Sequence, residues 1–170
     1  MANETAIQEQ LQQQFPYMKD KIRIARERRL FADVPVANLA EVFDHLVRRM
    51  DFSILCTITG LDLGASLGVI YHLARPSGEV FNLSTSVDKA APTLQTVISY
   101  FPAAEAYERE LVDLLGMQVQ GLPPGTRYPL NDDWPVGQYP LRKDWTPPAA
   151  PAATPAAPPD ATQKGSTDHA

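Results

Sequence analysis

Four charged residues within one short stretch are the part of this sequence best suited to catalysis or ligand binding. The stretch 107–117 reads YERELVDLLGM and contains Glu108, Arg109, Glu110 and Asp113. Neighbouring carboxylates can act as a general acid and base, and they can also bind a metal ion. The same residue types are equally typical of the solvated face of a helix, which does no chemistry.

The rest of the chain offers these carboxylates no catalytic partner. It contains no glycine-rich phosphate loop and no Ser–His or Cys–His arrangement. Cys56 is the single cysteine, and His45, His72 and His169 are too scattered for metal-ligand spacing. One thiolate is too few for an iron–sulfur cluster built by this chain alone. We therefore predict a structural or interface role for the stretch, with no metal and no cofactor in this chain.

Composition and charge exclude several other classes of protein. The chain has 170 residues, 44% of them hydrophobic, and a formal net charge of −5, which is typical of one globular domain. The densest basic run, RERR at 26–29, is interrupted by Glu27, so we expect a solvated strand end there and no nucleic-acid binding. No apolar run reaches the ~18 residues of a spanning helix, and the N-terminus lacks the features of a secretory signal. We expect a cytoplasmic chain without its own membrane span.

The hydrophobic pattern predicts an α+β fold with a mainly antiparallel sheet flanked by helices. It predicts a weak helix over 5–14 and a strand over 21–31. A stronger helix then begins after Pro35, because apolar residues recur every three or four positions as far as Met50.

Three strand-like runs follow at 54–59, 67–74 and 80–86. The connections between them are short and rich in turn residues, which favours antiparallel pairing. A helical pattern then extends from Pro92 toward Gly116, with a break at Pro102.

On this last helix the charged residues fall into two groups. Glu105, Arg109 and Asp113 share the solvated side, where two pairs at i,i+4 spacing contribute about 0.3 kcal/mol each. Glu108 and Glu110 lie at the shoulders of the apolar stripe, where a carboxylate needs a donor. The expected donors are the later cations, and Gly116 fits the helix C-cap. Those cations are Arg127, Arg142 and Lys143.

An irregular segment, residues 119–146, follows the helix and is rich in proline and aromatic residues. Trp134, Tyr139 and Trp145 are residue types that anchor protein interfaces, and they could equally cover the domain's own core. From residue 147 to 170 the composition changes to Pro, Ala and small polar residues. We predict a domain over 1–146 followed by a disordered, extended tail.

Two charged motifs resemble the signature of a known family, the 30-kDa subunit of respiratory-chain NADH dehydrogenase (NADH–quinone oxidoreductase). The first is Tyr107-Glu108-Arg109-Glu110 with Asp113-Leu114 and Gly116, and the second is Pro140-Leu141-Arg142-Lys143-Asp144. The preceding Phe101-Pro102-Ala103-Ala104 and the strand residues Tyr71-His72-Leu73 fit the same pattern. The resemblance covers roughly residues 20–146.

The resemblance implies an α+β subunit in the hydrophilic arm of a membrane-bound complex, peripheral on the cytoplasmic side. Such a subunit contributes assembly rather than catalysis and packs against the large catalytic subunit, near iron–sulfur subunits. Any nickel–iron centre and iron–sulfur clusters would lie in those partners. The two motifs, together with Trp134, Tyr139 and Trp145, would then bind the partners or order the surface that does.

One stretch departs from the respiratory pattern. Where respiratory proteins carry Gly-His-Pro and an Arg-Arg pair, this chain reads Gly121-Leu122-Pro123-Pro124 with Arg127. The stretch Asp132-Asp133-Trp134-Pro135, leading to Tyr139 and Trp145, is more similar to small subunits of membrane-bound, energy-converting nickel–iron hydrogenases of the CO-induced or formate-linked type. We therefore expect a hydrogenase subunit. The 30-kDa subunit of an NADH–quinone oxidoreductase is the alternative, and a small free-standing enzyme is the third hypothesis.

Overall fold

A five-stranded sheet forms the centre of the fold in the computed structural model, which describes residues 2–147. The strand order is β1-β2-β5-β4-β3. The strands are β1 (Ile22–Arg26), β2 (Arg29–Asp33), β3 (Ile54–Asp62), β4 (Ser66–Ala74) and β5 (Val80–Asp88). All neighbours are antiparallel except β2 and β5, which are parallel. The predicted α+β class and the antiparallel β3–β4–β5 meander are confirmed. The predicted tail lies outside the described residues from residue 148 onward.

Within residues 2–147, three helices flank this sheet: α1 (Ala2–Gln14), α2 (Val36–Arg49) and α3 (Ala104–Leu115). A 3-10 turn, Pro16–Met18, follows α1. The apolar stripe predicted for α2 is buried and packs against β5. On the sheet, the core face is formed by alternate residues of the central strands, including Leu67, Val69, Tyr71 and Leu73 of β4.

The position of α3 depends on a glycine in β3. A Cβ atom added at Gly60 would lie 2.4 Å from Leu115 Cδ1 and 2.6 Å from Leu111 Cδ2. The missing side chain therefore allows the apolar face of α3 to approach the strand closely. This contact fixes the helix that carries the charged residues of the first sequence motif.

Two predicted elements are wrong in their details. The strand expected over 21–31 is a hairpin, because Glu27 and Arg28 form a turn with Arg28 at φ 57°. The basic run at 26–29 is therefore this hairpin turn. Ile24 and Leu30 still share a face, because they are opposite each other in the β1–β2 register.

The helix expected from Pro92 is also wrong before Pro102. Its first residues form a short strand, β6 (Thr93–Gln95), which pairs in parallel with β7 (Gln118–Gln120). Pairing with a strand more than twenty residues away overrides the local helical pattern. The helix itself begins only at Ala104, and Gly116 caps it with a φ of 68°.

Candidate partner-docking site

The charged residues of α3 have different partners, and Glu108 is the most deeply buried. Its side chain accepts hydrogen bonds from the backbone N–H of Val97 at 2.7 Å and from Thr96 Oγ1 at 2.5 Å. Burial raises the pKa of Glu108, while these two hydrogen bonds act in the opposite direction. The predicted bond from Glu108 to a later arginine or lysine is therefore wrong. The carboxylate lies on the core side of α3 and holds the loop that leads into the helix.

Glu110 has no comparable role within the described part of the chain. Its side chain is half-buried. Among residues 2–147 it makes no hydrogen bond or ion pair. The predicted attachment of the C-terminal segment through Glu110 is therefore not found.

Arg109 holds the first part of the C-terminal segment, residues 119–146, against the side of α3 that the sequence predicts to be solvated. Its Nη2 atom lies 2.7 Å from Glu105 Oε1, which confirms the predicted i,i+4 pair. The same atom donates to the carbonyl of Pro123 at 2.9 Å, and Nη1 donates to that of Thr126 at 3.5 Å. Within residues 2–147, Arg109 does not pair with Asp113 as predicted, because its guanidinium binds Glu105 and the carbonyls of Pro123 and Thr126 instead.

Asp113 holds the next part of the segment. Arg127 Nε lies 3.4 Å from Asp113 Oδ1, and the backbone N–H of Leu130 donates to Oδ2 at 3.4 Å. Arg127 continues the connection by donating from Nη1 to the carbonyl of Trp134 at 2.6 Å. Only 7% of Asp113 is exposed. The predicted solvated position of Asp113 is wrong because the C-terminal segment covers this side of the helix.

The C-terminal end of α3 binds the second sequence motif. Its last carbonyls, those of Leu114 and Leu115, accept hydrogen bonds from the backbone N–H of Leu141 at 3.1 Å and from Arg142 Nε at 2.7 Å. A cation is favourable here because unpaired carbonyls concentrate negative charge at a helix C-terminus. The guanidinium of Arg142 also lies 4.7 Å from the ring centroid of Tyr139. The prediction that Arg142 ties the segment to the helix is confirmed.

Asp62, at the end of β3, fixes the last part of the segment. Its Oδ2 atom accepts a hydrogen bond from the backbone N–H of Lys143 at 2.8 Å and pairs with Lys89 Nζ at 2.8 Å. Lys89 also lies 3.0 Å from Asp144 Oδ1. The Lys89 ammonium holds the pKa of Asp62 well below its usual range, and the two carboxylates raise the pKa of Lys89. Lys143 thus takes part through its backbone rather than its ammonium.

Sequence reasoning missed Asp62 and Lys89 completely. Asp62 at a strand end and Lys89 in a turn form no recognisable motif. The second sequence motif, which they bind, follows them by more than fifty residues. No signal in the sequence could have identified them.

The two tryptophans of the segment contact each other, and Tyr139 lies against Arg142 and Gly116. The rings of Trp134 and Trp145 are 6.0 Å apart, and both indole N–H groups donate to Gln138, at 2.9 Å and 2.8 Å. None of Trp134, Tyr139 and Trp145 belongs to the buried core cluster. The alternative in which they cover the core is therefore wrong. They give an irregular segment a defined shape.

This ordered segment exposes large apolar side chains. Val136 is 95% exposed, Leu141 53% and Tyr128 52%, as measured within the described residues. We call Tyr128, Val136 and Leu141 the docking surface. Isolated exposed apolar residues are common, and three on one restrained segment make these residues a candidate surface for a partner.

Two other kinds of site are absent from residues 2–147. No group of three or more His, Cys, Asp or Glu residues there could hold a metal ion. No helix there has the length and apolar character needed to cross a membrane.

The chain forms an α+β domain in which charged residues of α3 hold a C-terminal segment. Comparison with known proteins identifies its family. Residues 32–151 match the model of the respiratory-chain NADH dehydrogenase 30-kDa subunit. The chain belongs to this family, whose members are subunits of complex I-like membrane complexes.

Individual relatives match different shares of the chain. The C-type subunit of the F(420)H(2) dehydrogenase of Methanosarcina mazei is 30% identical over 135 residues, which cover 75% of this chain and 85% of that protein. The C/D-type subunit of the NADH-quinone oxidoreductase of Bacteroides thetaiotaomicron is 38% identical over 100 residues, which are 51% of this chain and only 18% of that much longer protein.

A solved structure supports the same relationship. One chain of the membrane-bound sulfane sulfur reductase, an archaeal respiratory membrane complex, superimposes with a TM-score of 0.75 and 28% identity. The match covers 86% of both chains. The similarity therefore includes most of the α+β domain and not only its central sheet.

Proposed function

We propose that this chain is a non-catalytic assembly subunit of a membrane-bound, energy-converting nickel–iron hydrogenase. It packs against the large catalytic subunit in the hydrophilic arm, peripheral to the membrane on its cytoplasmic side. The observation that carries the proposal is that Glu108, Arg109 and Asp113 are engaged by the chain's own backbone and side chains. These residues order a surface and are not free for acid–base chemistry, which argues against the free-standing enzyme.

The docking surface supports an assembly role. Val136 and Leu141 are exposed at 95% and 53%, yet the backbone around them is restrained by Pro135, Pro140 and the bonds to α3. A restrained segment loses less conformational freedom when it binds, so more of the contact energy appears as affinity. Exposed aliphatic side chains on such a segment suit a pocket or groove of a large subunit.

The choice of a hydrogenase rests on residues 121–145. The segment lacks the histidine and the arginine pair of the respiratory pattern, and it carries DDWP before the second motif. The Methanosarcina mazei relative is named for an F(420)H(2) dehydrogenase, so relatives of this chain are not confined to NADH-linked enzymes. In this proposal the nickel–iron centre and the iron–sulfur clusters belong to partner subunits, and this chain holds no cofactor.

The second candidate is the 30-kDa subunit of an NADH–quinone oxidoreductase. It is favoured by the family model and by the relative from Bacteroides thetaiotaomicron, both of which are named for NADH-linked enzymes. In both candidate complexes the docking surface contacts the large subunit. They differ in the partner subunits and in the electron donor.

Purification of the intact complex distinguishes the candidates. A tag at the N-terminus leaves the C-terminal segment untouched, and mass spectrometry identifies the proteins that copurify from detergent-solubilised membranes. A nickel-containing large subunit with hydrogen evolution from reduced viologen supports the hydrogenase. A flavin subunit with NADH oxidation supports the second candidate. Recovery of the chain alone, without a large subunit, contradicts both.

A matched pair of variants tests the docking surface itself. Val136→Asp combined with Leu141→Asp places two charges on the proposed interface, so the large subunit no longer copurifies. Leu63→Asp is the control, because Leu63 is 54% exposed but lies outside the segment. The isolated variants keep the melting temperature of the unmodified chain. Retention of the large subunit by the double variant, or its loss in the control, would place the interface elsewhere.

A further inference from the structure

The hairpin of β1 and β2 carries five cations within nine residues. They are Lys21, Arg23, Arg26, Arg28 and Arg29, and we call them the basic hairpin. Glu27 is the single carboxylate between them, whereas the chain as a whole has a formal net charge of −5. Positive charge is therefore concentrated on this hairpin, although the rest of the molecule is acidic.

The basic hairpin has no carboxylate partner in the described part of the chain. Within residues 2–147 none of its five cations takes part in an ion pair. Cations that hold the fold together in the same range do have such partners: Lys89 pairs with Asp62, and Arg127 pairs with Asp113. Crowded cations without partners repel one another, which lowers the stability of the isolated chain. The fold itself does not use this charge, so it is free for a negatively charged partner.

Most of these side chains lie on the face of the sheet that is turned away from the core. Leu30 of β2 is fully buried in the core, so its neighbours Arg29 and Phe31 point to the opposite face. Arg26 is the register partner of Arg29, and Arg23 is that of Phe31, so both share this second face. Arg23 and Arg26 are exposed there, and Arg29 is half-buried.

A hollow of about 500 Å³ lies between the turn of this hairpin and the turn that joins β4 to β5. Its lining residues are Arg26, Glu27, Arg28, Arg29, Gly78 and Val80. Gly78 leaves room for the long Arg28 side chain, because a Cβ atom added at Gly78 would lie 3.4 Å from Arg28 Nη1. Three guanidinium groups around one hollow can donate several hydrogen bonds to an anionic group that enters it.

The backbone of the basic hairpin is fixed by its neighbours. The N–H of Arg28 donates to the Glu4 carboxylate of α1, and the carbonyl of Arg28 accepts from the N–H of Val80 at 2.9 Å. The guanidinium of Arg23 lies 4.7 Å from the ring centroid of Phe31, which supports it from one side. A fixed array of donors loses less freedom on binding than a mobile one.

We propose that the basic hairpin binds an acidic segment of a neighbouring subunit, with one carboxylate in the hollow and a second near Arg23. This assignment rests on the proposed function, because the partner belongs to the same complex. Planar guanidinium groups bind carboxylates through two parallel hydrogen bonds, and arginine clusters recognise acidic segments in this way. Arg23 and Arg29 are offset by two residues in the register, about 7 Å along the strands. Carboxylates on alternate residues of an extended segment have the same spacing.

A protein segment suits this surface better than an anionic membrane. Surfaces that lie on membranes combine cations with apolar side chains that enter the lipid. The large apolar residues Ile22 and Leu30 of the hairpin are buried, and Phe31 is covered by Arg23. Glu27 at the turn would be repelled by anionic headgroups. A fixed spacing of guanidinium groups matches fixed carboxylates, whereas headgroups in a fluid bilayer have no fixed spacing.

Photocrosslinking in the purified complex identifies the partner. A photoreactive benzoylphenylalanine in place of Glu27 keeps all five cations and lies at the hollow. Illumination of the N-terminally tagged complex should link this position to a peptide of another subunit that contains at least two Asp or Glu residues. The same group in place of Glu9, which is exposed on α1, is the control and should not capture that peptide.

Charge reversal then tests whether the contact is electrostatic. Arg26→Glu should accelerate release of the chain from the immobilised complex about tenfold at moderate salt concentration. Arg49→Glu makes the same change of charge at an exposed cation of α2 that is also without an ion pair within residues 2–147, and it should release the chain at the unmodified rate. The melting temperature of the isolated Arg26→Glu chain should stay the same or rise, because a repulsive charge is removed. A lower melting temperature would assign Arg26 a structural role instead.

Three outcomes overturn the assignment. Capture of no acidic peptide at position 27, while the large subunit still copurifies, excludes this surface without affecting the proposed function. Equal release rates for Arg26→Glu and Arg49→Glu exclude an electrostatic contact. Cosedimentation of the full-length chain with phosphatidylglycerol vesicles but not with phosphatidylcholine vesicles, abolished by Arg26→Glu, assigns the basic hairpin to the membrane surface instead.

Discussion

The backbone N–H of Lys143 donates to Asp62 Oδ2 at 2.8 Å across 81 residues of sequence. This bond fixes the end of the C-terminal segment to the end of β3. Asp62 therefore stabilises the C-terminal segment, although it belongs to β3. Lys89 supports the arrangement by pairing with Asp62 and with Asp144.

Asp62→Asn should loosen this attachment and change its pH dependence. The folded-state pKa of Asp62 lies below its ordinary 3.8, so the contribution of the carboxylate is complete above about pH 4 and is lost as the pH falls further. The variant should melt at a lower temperature at neutral pH and lose less of its stability on acidification. Thermal melts at a series of pH values provide the measurement.

Asp144→Asn is the matched control, because the Asp144 side chain is 68% exposed against 2% for Asp62. Its effect on the melting temperature should be clearly smaller. Equal effects of the two substitutions would show that the exposed pair matters as much as the buried one.

Gly116→Ala should destabilise the contact between α3 and Tyr139. Gly116 has φ 68°, and an added Cβ would lie 2.5 Å from the Tyr139 ring. Gly137 has φ 80° and no atom within 4 Å of an added Cβ, so Gly137→Ala measures the backbone cost alone. We expect unfolding free energies lower by about 1–2 kcal/mol for Gly137→Ala and about 2–4 kcal/mol for Gly116→Ala. Urea denaturation gives both values, and equal losses would mean that Tyr139 moves away freely.

Glu108→Ala and Glu108→Gln should separate hydrogen bonding from charge. Alanine leaves the buried N–H of Val97 without its acceptor, which costs about 1–3 kcal/mol. Glutamine keeps an acceptor for Val97 and a group that can bond to Thr96. Glu108→Gln should therefore be much closer to the unmodified chain at neutral pH. Urea denaturation of the three proteins provides the comparison.

The raised pKa of Glu108 also predicts a pH effect of definite sign. The folded state binds this proton more tightly than the unfolded state, whose pKa is near 4.5. The contribution of Glu108 to stability therefore decreases as the pH rises from below 4.5 through the folded-state pKa. Denaturation profiles of the unmodified chain and Glu108→Gln should diverge over that interval. Parallel profiles of the two proteins would contradict a pKa of Glu108 that is raised by burial.

Arg142→Ala and Glu110→Ala compare two residues of the sequence motifs that have different surroundings. Arg142 donates to the carbonyl of Leu115 and stacks on Tyr139, so its removal should cost about 2 kcal/mol. The Glu110 side chain makes no hydrogen bond within residues 2–147, so its removal should change stability by less than about 0.5 kcal/mol. Denaturation of the isolated chain measures both. A large loss for Glu110→Ala would reveal a contact that the fold does not show.

Helices and strands could be predicted from local sequence where one of their faces is buried. The stripe of α2 was predictable because burial on one side imposes a 3.6-residue period. The meander of β3, β4 and β5 was predictable because short, turn-rich links leave antiparallel pairing as the simplest connection. Gly116 could be recognised as a cap because few other residues adopt a positive φ.

Local patterns were thus sufficient for the fold class, the antiparallel meander and the two motifs that indicate the family. They were insufficient for the partner of each charged residue, which became visible only in the folded chain. Glu108 turns towards Val97, Asp113 towards Arg127, and Asp62 binds Lys143. These pairings depend on the path of the C-terminal segment, which has no hydrophobic period. Its position is set by single hydrogen bonds to residues distant in sequence, and such bonds leave no repeating pattern from which they could be predicted.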